Sequence, residues 1–107
     1  MEWFKPYDLL LSPTVPVLPP KVGIWNHLSA EEMFAHAIPL GLFTAIFNVT
    51  QQPAASVPGG VSTTGLPIGI QLVGKPADDR TVLAVAAQLE KGLPWVHRRA
   101  EWPAATV

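Results

Sequence analysis

The stretch Pro53 to Gly74, Pro-Ala-Ala-Ser-Val-Pro-Gly-Gly-Val-Ser-Thr-Thr-Gly-Leu-Pro-Ile-Gly-Ile-Gln-Leu-Val-Gly, constrains this chain more than any other. Ala54 to Val57 is an apolar run closed by prolines at both ends, and Ile68 to Val73 mixes β-branched residues with glycine and a single Gln71. Such runs favour strands, and Gly59, Gly60, Gly65 and Pro67 between them enforce a turn. The pattern predicts a hairpin of two buried strands with a long connection. Gly69 carries no side chain inside the second strand, which predicts that another backbone or a bulky neighbour packs against that face.

The rest of the chain punctuates itself. Leu9, Leu10 and Leu11 form a continuous apolar run, the signature of a strand buried on both faces. Pro13, Pro16, Pro19 and Pro20 then impose an extended loop, because proline fixes φ and has no N–H to donate. Ser29-Ala30-Glu31-Glu32 is a capping box that opens a helix over about 30–37, with Pro39 beyond its end. A second helical pattern covers about 40–50, with Phe43, Ile46, Phe47 and Thr50 on one stripe widened by Leu42 and Val49. That breadth predicts a helix buried over most of its circumference. Asp78 is a natural N-cap for a third helix over about 79–91, with Gly92 and Pro94 as its stop. Residues 93–107 show no periodicity and read as an irregular tail.

Together these segments give an α/β fold in the order strand-helix-helix-strand-strand-helix, one segment spanning residues 1–107. Its composition is unusual for a free-standing domain. Apolar residues make up 49% and charged residues only 14%, the latter well below the ~25% of ordinary domains. A chain of this size buries too little surface to hide so much apolar matter, so something else is expected to cover it.

Charge and cysteine content exclude several classes. A net charge of −1 offers no footprint for nucleic acid or an anionic membrane, and His97-Arg98-Arg99 is too short a basic run to supply one. No apolar run approaches the ~20 residues that span a bilayer, and the N-terminus lacks the design of a secretory signal. The chain has no cysteine, which suits a reducing cytoplasm. His27, His36 and His97 lack metal-ligand spacing and read as structural. No glycine pattern lies between a strand and a helix where it could cradle phosphate, so neither a metal nor a cofactor is expected.

Three ordered motifs carry a family resemblance. They are Phe43-Thr44-Ala45-Ile46-Phe47-Asn48, then Gln52-Pro53-Ala54-Ala55-Ser56-Val57-Pro58, then Gly65-Leu66-Pro67-Ile68-Gly69-Ile70-Gln71-Leu72-Val73-Gly74. Preceded by Tyr7-Asp8-Leu9-Leu10-Leu11-Ser12-Pro13-Thr14-Val15-Pro16 and followed by Lys75-Pro76-Ala77-Asp78-Asp79, the series resembles the C-terminal part of an amidase signature family enzyme from about Tyr7 to Arg99. One departure is visible at Gln51, where the family often has glycine.

The resemblance implies a mixed sheet flanked by helices and hydrolysis of carboxamide C–N bonds. It also implies a serine nucleophile, a second serine in a cis peptide linkage and a lysine that handles the proton. Ser12, Ser29, Ser56 and Ser62 are nowhere adjacent, and Lys5, Lys21, Lys75 and Lys91 stand in no matching context, so no catalytic residue is assigned. Ser62 sits among glycines, but Gly60-Val61-Ser62-Thr63-Thr64-Gly65 has one residue too many for a G-x-S-x-G elbow. By the resemblance the loop at Thr14 approaches the substrate pocket, making Thr14 the first candidate substrate-binding residue. Asn48 is the second, against the plainer role of tethering the next turn. Gln71 is expected to satisfy backbone groups or to cap an edge.

The chain is therefore expected to form the C-terminal portion of an amidase-type hydrolase, inactive alone. Its expected partner is the missing N-terminal portion or a second copy of itself. The alternative is a stand-alone oligomeric scaffold derived from a truncated amidase.

Overall fold

The computed structural model describes residues 2–95. The predicted irregular tail lies mostly outside them. A three-stranded antiparallel sheet in the order β1-β3-β2 is built from β1 (Leu10–Pro13), β2 (Ala54–Val61) and β3 (Pro67–Val73). Helices α1 (Ala30–Ala37) and α2 (Leu42–Thr50) lie between β1 and β2, joined by a 3-10 turn at Ile38–Gly41. Helix α3 (Asp79–Gly92) follows β3.

The hairpin is longer and its connection tighter than the glycine count suggested. β2 runs straight through Pro58, with a bulge between Pro58 and Gly60. Proline is tolerated there because β2 is an edge strand among the described residues, so the N–H that proline lacks is not needed for a ladder hydrogen bond on that outer side. Ser62 closes the loop: its N–H donates to the Leu66 carbonyl at 2.8 Å, and its hydroxyl accepts from the Thr64 and Leu66 amides. This serine is a turn-former.

Alternation along the strands gives the sheet two faces. One carries Ala55, Val57, Ile70 and Leu72, against which α3 packs Val82, Val85, Ala86 and Leu89. Leu72 on this face is fully buried, as is Val73 on the opposite one. Burying a side chain of this size contributes about 1.5–3 kcal/mol, so this layer is the principal source of stability. Gly74 lets α3 start close to the sheet, since a Cβ there would stand 2.7 Å from Val82 Cγ2 and 3.0 Å from the Asp78 carbonyl oxygen.

The capping box is fully formed. The Ser29 hydroxyl accepts from the Glu32 amide, and the Glu32 carboxylate accepts from the Ser29 amide at 2.8 Å. Asp78 caps α3 by accepting from the Thr81 amide. Gly92 differs from expectation: it is the last residue of α3, and Leu93 takes the C-cap position with φ −130°.

Two predicted burials do not occur. β1 is an edge strand with Leu11 58% exposed, because nothing among the described residues lies beyond it. On α2 no residue is buried: Leu42, Ile46 and Val49 are 61%, 55% and 82% exposed. The apolar stripe is where the sequence placed it, but among the described residues only part of it, Phe47 and Thr50, is half-buried. The sequence reading found no apolar run near membrane-spanning length and ended the first helix before Pro39. The structure carries the helix across Pro39, giving a 21-residue helical run, Ala30–Thr50, long and apolar enough by length and composition to cross a membrane.

Candidate functional site

The sheet face away from α3 carries an unusual share of polar groups. Register sets Ser12 opposite Gln71, and Gln71 opposite Ser56, making one row across all three strands. Gln71 is buried, and its side-chain Nε2 donates to the Phe43 carbonyl at 2.8 Å and to the Ser12 hydroxyl at 3.3 Å. This strand glutamine satisfies a backbone group, as expected, and in doing so pins the first turn of α2 over the sheet.

One row further along, Thr14 pairs with Gly69 through its amide at 3.1 Å. The Thr14 and Ser56 hydroxyls lie 2.8 Å apart, and a Cβ on Gly69 would sit 3.0 Å from one and 3.2 Å from the other. What presses on Gly69 is thus a pair of hydroxyls, where a backbone or a bulky side chain was expected. Thr14 is half-buried. The cluster offers three hydroxyls and one carboxamide, a set that can exchange hydrogen bonds with an amide or carbonyl but cannot itself act as a strong base.

Asn48 lies elsewhere. It is exposed on α2 and, with Gln51, Ala77 and Asp79, lines an open depression of about 460 Å³ that Thr14 does not border. The two predicted binding residues are therefore not brought together. Among the described residues the Asn48 side chain makes no hydrogen bond; the neighbouring turn is held instead by Gln52. Its Nε2 donates to the Gly74 carbonyl at 2.7 Å, and its Oε1 accepts from the Thr50 hydroxyl at 3.0 Å. Gln51, where glycine was the family habit, adopts the left-handed conformation at φ 56° and closes α2. Ala77 does the same at φ 61° across the depression.

Sequence reading missed Ser12, Ser56 and Gln52. For the first two the signal was only partial: each is a lone polar residue in a largely apolar strand, and the row they share with Gln71 is set by register. Gln52 had none, because its burial depends on the long-range approach of Gly74.

Two carboxyl groups are held below the usual carboxylate range. The Ser29 side chain and then its amide lower Glu32, and the Thr81 side chain and then its amide lower Asp78. Both are helix caps. His36 stacks on Trp25 with ring centroids 5.9 Å apart, a packing role that agrees with its structural reading.

An antiparallel three-stranded sheet backed by one helix, with a helical arm between its first two strands, matches a known enzyme class. The chain belongs to the amidase family, whose pattern it matches over residues 1–83. It is 36% identical to the putative amidase AmiB2 of Mycobacterium tuberculosis over 90% of its own length, and 38% identical to 6-aminohexanoate-cyclic-dimer hydrolase of Paenarthrobacter ureafaciens over 91%. Against a glutamyl-tRNA(Gln) amidotransferase subunit of Cenarchaeum symbiosum it is 48% identical over 84%. The solved structure of 6-aminohexanoate cyclic dimer hydrolase superposes with a TM-score of 0.79 over 92% of this chain and 22% of that one. The corresponding amidotransferase subunit from Thermotoga maritima gives 0.71 over 88% and 19%. The chain spans about a fifth of the length of the curated relatives it matches.

Proposed function

We propose that this chain works as the C-terminal portion of an amidase-type hydrolase acting on carboxamide C–N bonds, in a cytoplasmic setting. It supplies sheet, helices and part of the pocket wall, while the serine pair and lysine stand on the remainder of the fold. The observation that carries this reading is the uncovered helical arm. Phe34, Ile38, Leu42, Ile46 and Val49 recur every three or four residues along Ala30–Thr50, and each is more than half exposed. A stripe of that spacing is a surface shaped to lie against another. That the relatives are about five times longer supports an amidase body as its counterpart.

In this reading the wall of the pocket includes the polar row, with Thr14 contacting the bound amide through its hydroxyl, while Asn48, in its separate depression on the arm, acts on the substrate only from a distance. Alone the chain is inactive, because it offers no serine beside a lysine. The test is reconstitution: the chain is co-expressed with the part of the Paenarthrobacter ureafaciens hydrolase that it does not match, and release from a simple carboxamide is measured. Turnover is expected, and Thr14→Val is expected to lower kcat/KM roughly five- to tenfold, the scale of one hydrogen bond, and Asn48→Ala to lower it less. A stable but inactive oligomer of the chain that ignores the added portion would instead identify a scaffold.

A further inference from the structure

We infer that Ser56 is a positioning residue: its hydroxyl donates to the Thr14 oxygen and so turns the Thr14 hydrogen outward, to a carbonyl oxygen of the bound amide. This rests on the reading of Thr14 given above and names the residue that sets its direction. Hydroxyl hydrogens on the sheet face away from α3 do not all find acceptors within the chain. Around Gln71 they are spent. The Ser12 hydroxyl donates to the Pro13 carbonyl at 3.2 Å and accepts from Gln71 Nε2, which also donates to the Phe43 carbonyl. One row further along, Thr14 and Ser56 bring two hydroxyl hydrogens to a single contact of 2.8 Å, which uses one of them. Among the described residues the second hydrogen has no acceptor.

Surroundings decide which oxygen keeps it. The Thr14 backbone is fixed by its amide bond to the Gly69 carbonyl at 3.1 Å, and the bare Cα of Gly69 is what lets both oxygens approach, so the hydroxyl torsion is what remains to be set. Thr14 is half-buried, whereas Ser56 is exposed on the edge strand. With a carbonyl seated at Thr14, donation from Ser56 to Thr14 and from Thr14 to the carbonyl employs both hydrogens, and each bond polarises the next. The reverse order sends the spare hydrogen from Ser56 into water and leaves the carbonyl without the Thr14 donor, the costlier arrangement. Without Ser56 the Thr14 hydrogen distributes over about three staggered settings, so the productive one is filled roughly a third of the time.

Steady-state kinetics on a simple carboxamide test this in the complex of the chain with the unmatched portion of the Paenarthrobacter hydrolase. Ser56→Ala is expected to raise KM about threefold and to leave kcat within about twofold, the pattern of a contact made equally in the ground and transition states. Ser56→Thr keeps the hydroxyl and is expected to keep the original KM. Added to Thr14→Val, Ser56→Ala is expected to change KM no further, because no hydroxyl is left to turn. A serine that served only the fold would instead lower kcat by reducing the folded fraction, leave KM alone, and add its effect to that of Thr14→Val. If Thr14→Val raises KM while Ser56→Ala does not, or if the two effects multiply, the positioning role is overturned and the amidase reading stands. If the complex turns over amide and Thr14→Val changes nothing, the place of Thr14 in the pocket falls with it. If the complex shows no turnover, the amidase reading is overturned as well.

Discussion

The hydroxyls of Thr14 and Ser56, forty-two residues apart in the chain, meet at 2.8 Å across the bare Cα of Gly69. The outer strands of the sheet are thereby clasped over the middle one, at a strand position where the middle residue leaves room for both. A methyl group on Gly69 would stand 3.0 Å and 3.2 Å from these oxygens, and they could yield only by parting. Gly69→Ala is expected to destabilise the fold by about 1–3 kcal/mol, the usual cost of overpacking. A urea melt checks it, and pairing Gly69→Ala with Thr14→Ala should recover part of the loss.

Gln71 couples the helical arm to the sheet. Replacing it with leucine keeps its bulk but removes the donor to the Phe43 carbonyl and to Ser12. A stability loss of about 1–3 kcal/mol is expected, together with faster amide exchange in α2 and unchanged exchange in α3. Equal acceleration in both helices would mean that Gln71 acts through the whole core.

Gln51 and Ala77 are the positive-φ residues other than glycine among those described, at 56° and 61°. A side chain in the left-handed region costs about 1–2 kcal/mol, part of which glycine's greater freedom in the unfolded chain returns. Gln51→Gly and Ala77→Gly are each expected to stabilise by about 0.5–1 kcal/mol in the same melt. At Ala77 the preceding proline and the Asp78 amide bonded to the Lys75 carbonyl describe a turn that favours glycine at that place.

The helix caps make folding sensitive to acid. Glu32 and Asp78 titrate lower in the folded chain than in the unfolded one. Their contribution is therefore complete above the ordinary carboxylate range and is lost as the pH falls through the depressed folded values. Helical content followed by circular dichroism should decline over that interval, and Glu32→Gln with Asp78→Asn should flatten the decline. Both caps are solvent-exposed, so added salt should reduce the charge-dependent part of the effect.

Local signals were the legible ones. Ser29 with Glu32 placed the start of α1 and Asp78 that of α3, because a cap is written within four residues of sequence. The hairpin was legible in kind but not in length: Pro58 suggests a strand end until one knows that β2 is an edge. The burial of α2 and β1 was misjudged for a different reason. Apolar periodicity says which face seeks cover but not whether the cover is present, and Leu42, Ile46 and Val49 remain exposed here. At the candidate site Thr14 and Gln71 stood out in the sequence, whereas their meeting with Ser56 and Phe43 depends on strand register, which no single stretch encodes.

The division of labour between this chain and a larger amidase body is tested by titrating the purified chain into a fixed amount of the unmatched amidase portion, following release from a plain carboxamide. No release is expected from either component alone, and activity should rise with added chain and saturate at one chain per partner. Release by the chain alone, at a rate that the added portion leaves unchanged, would refute that division.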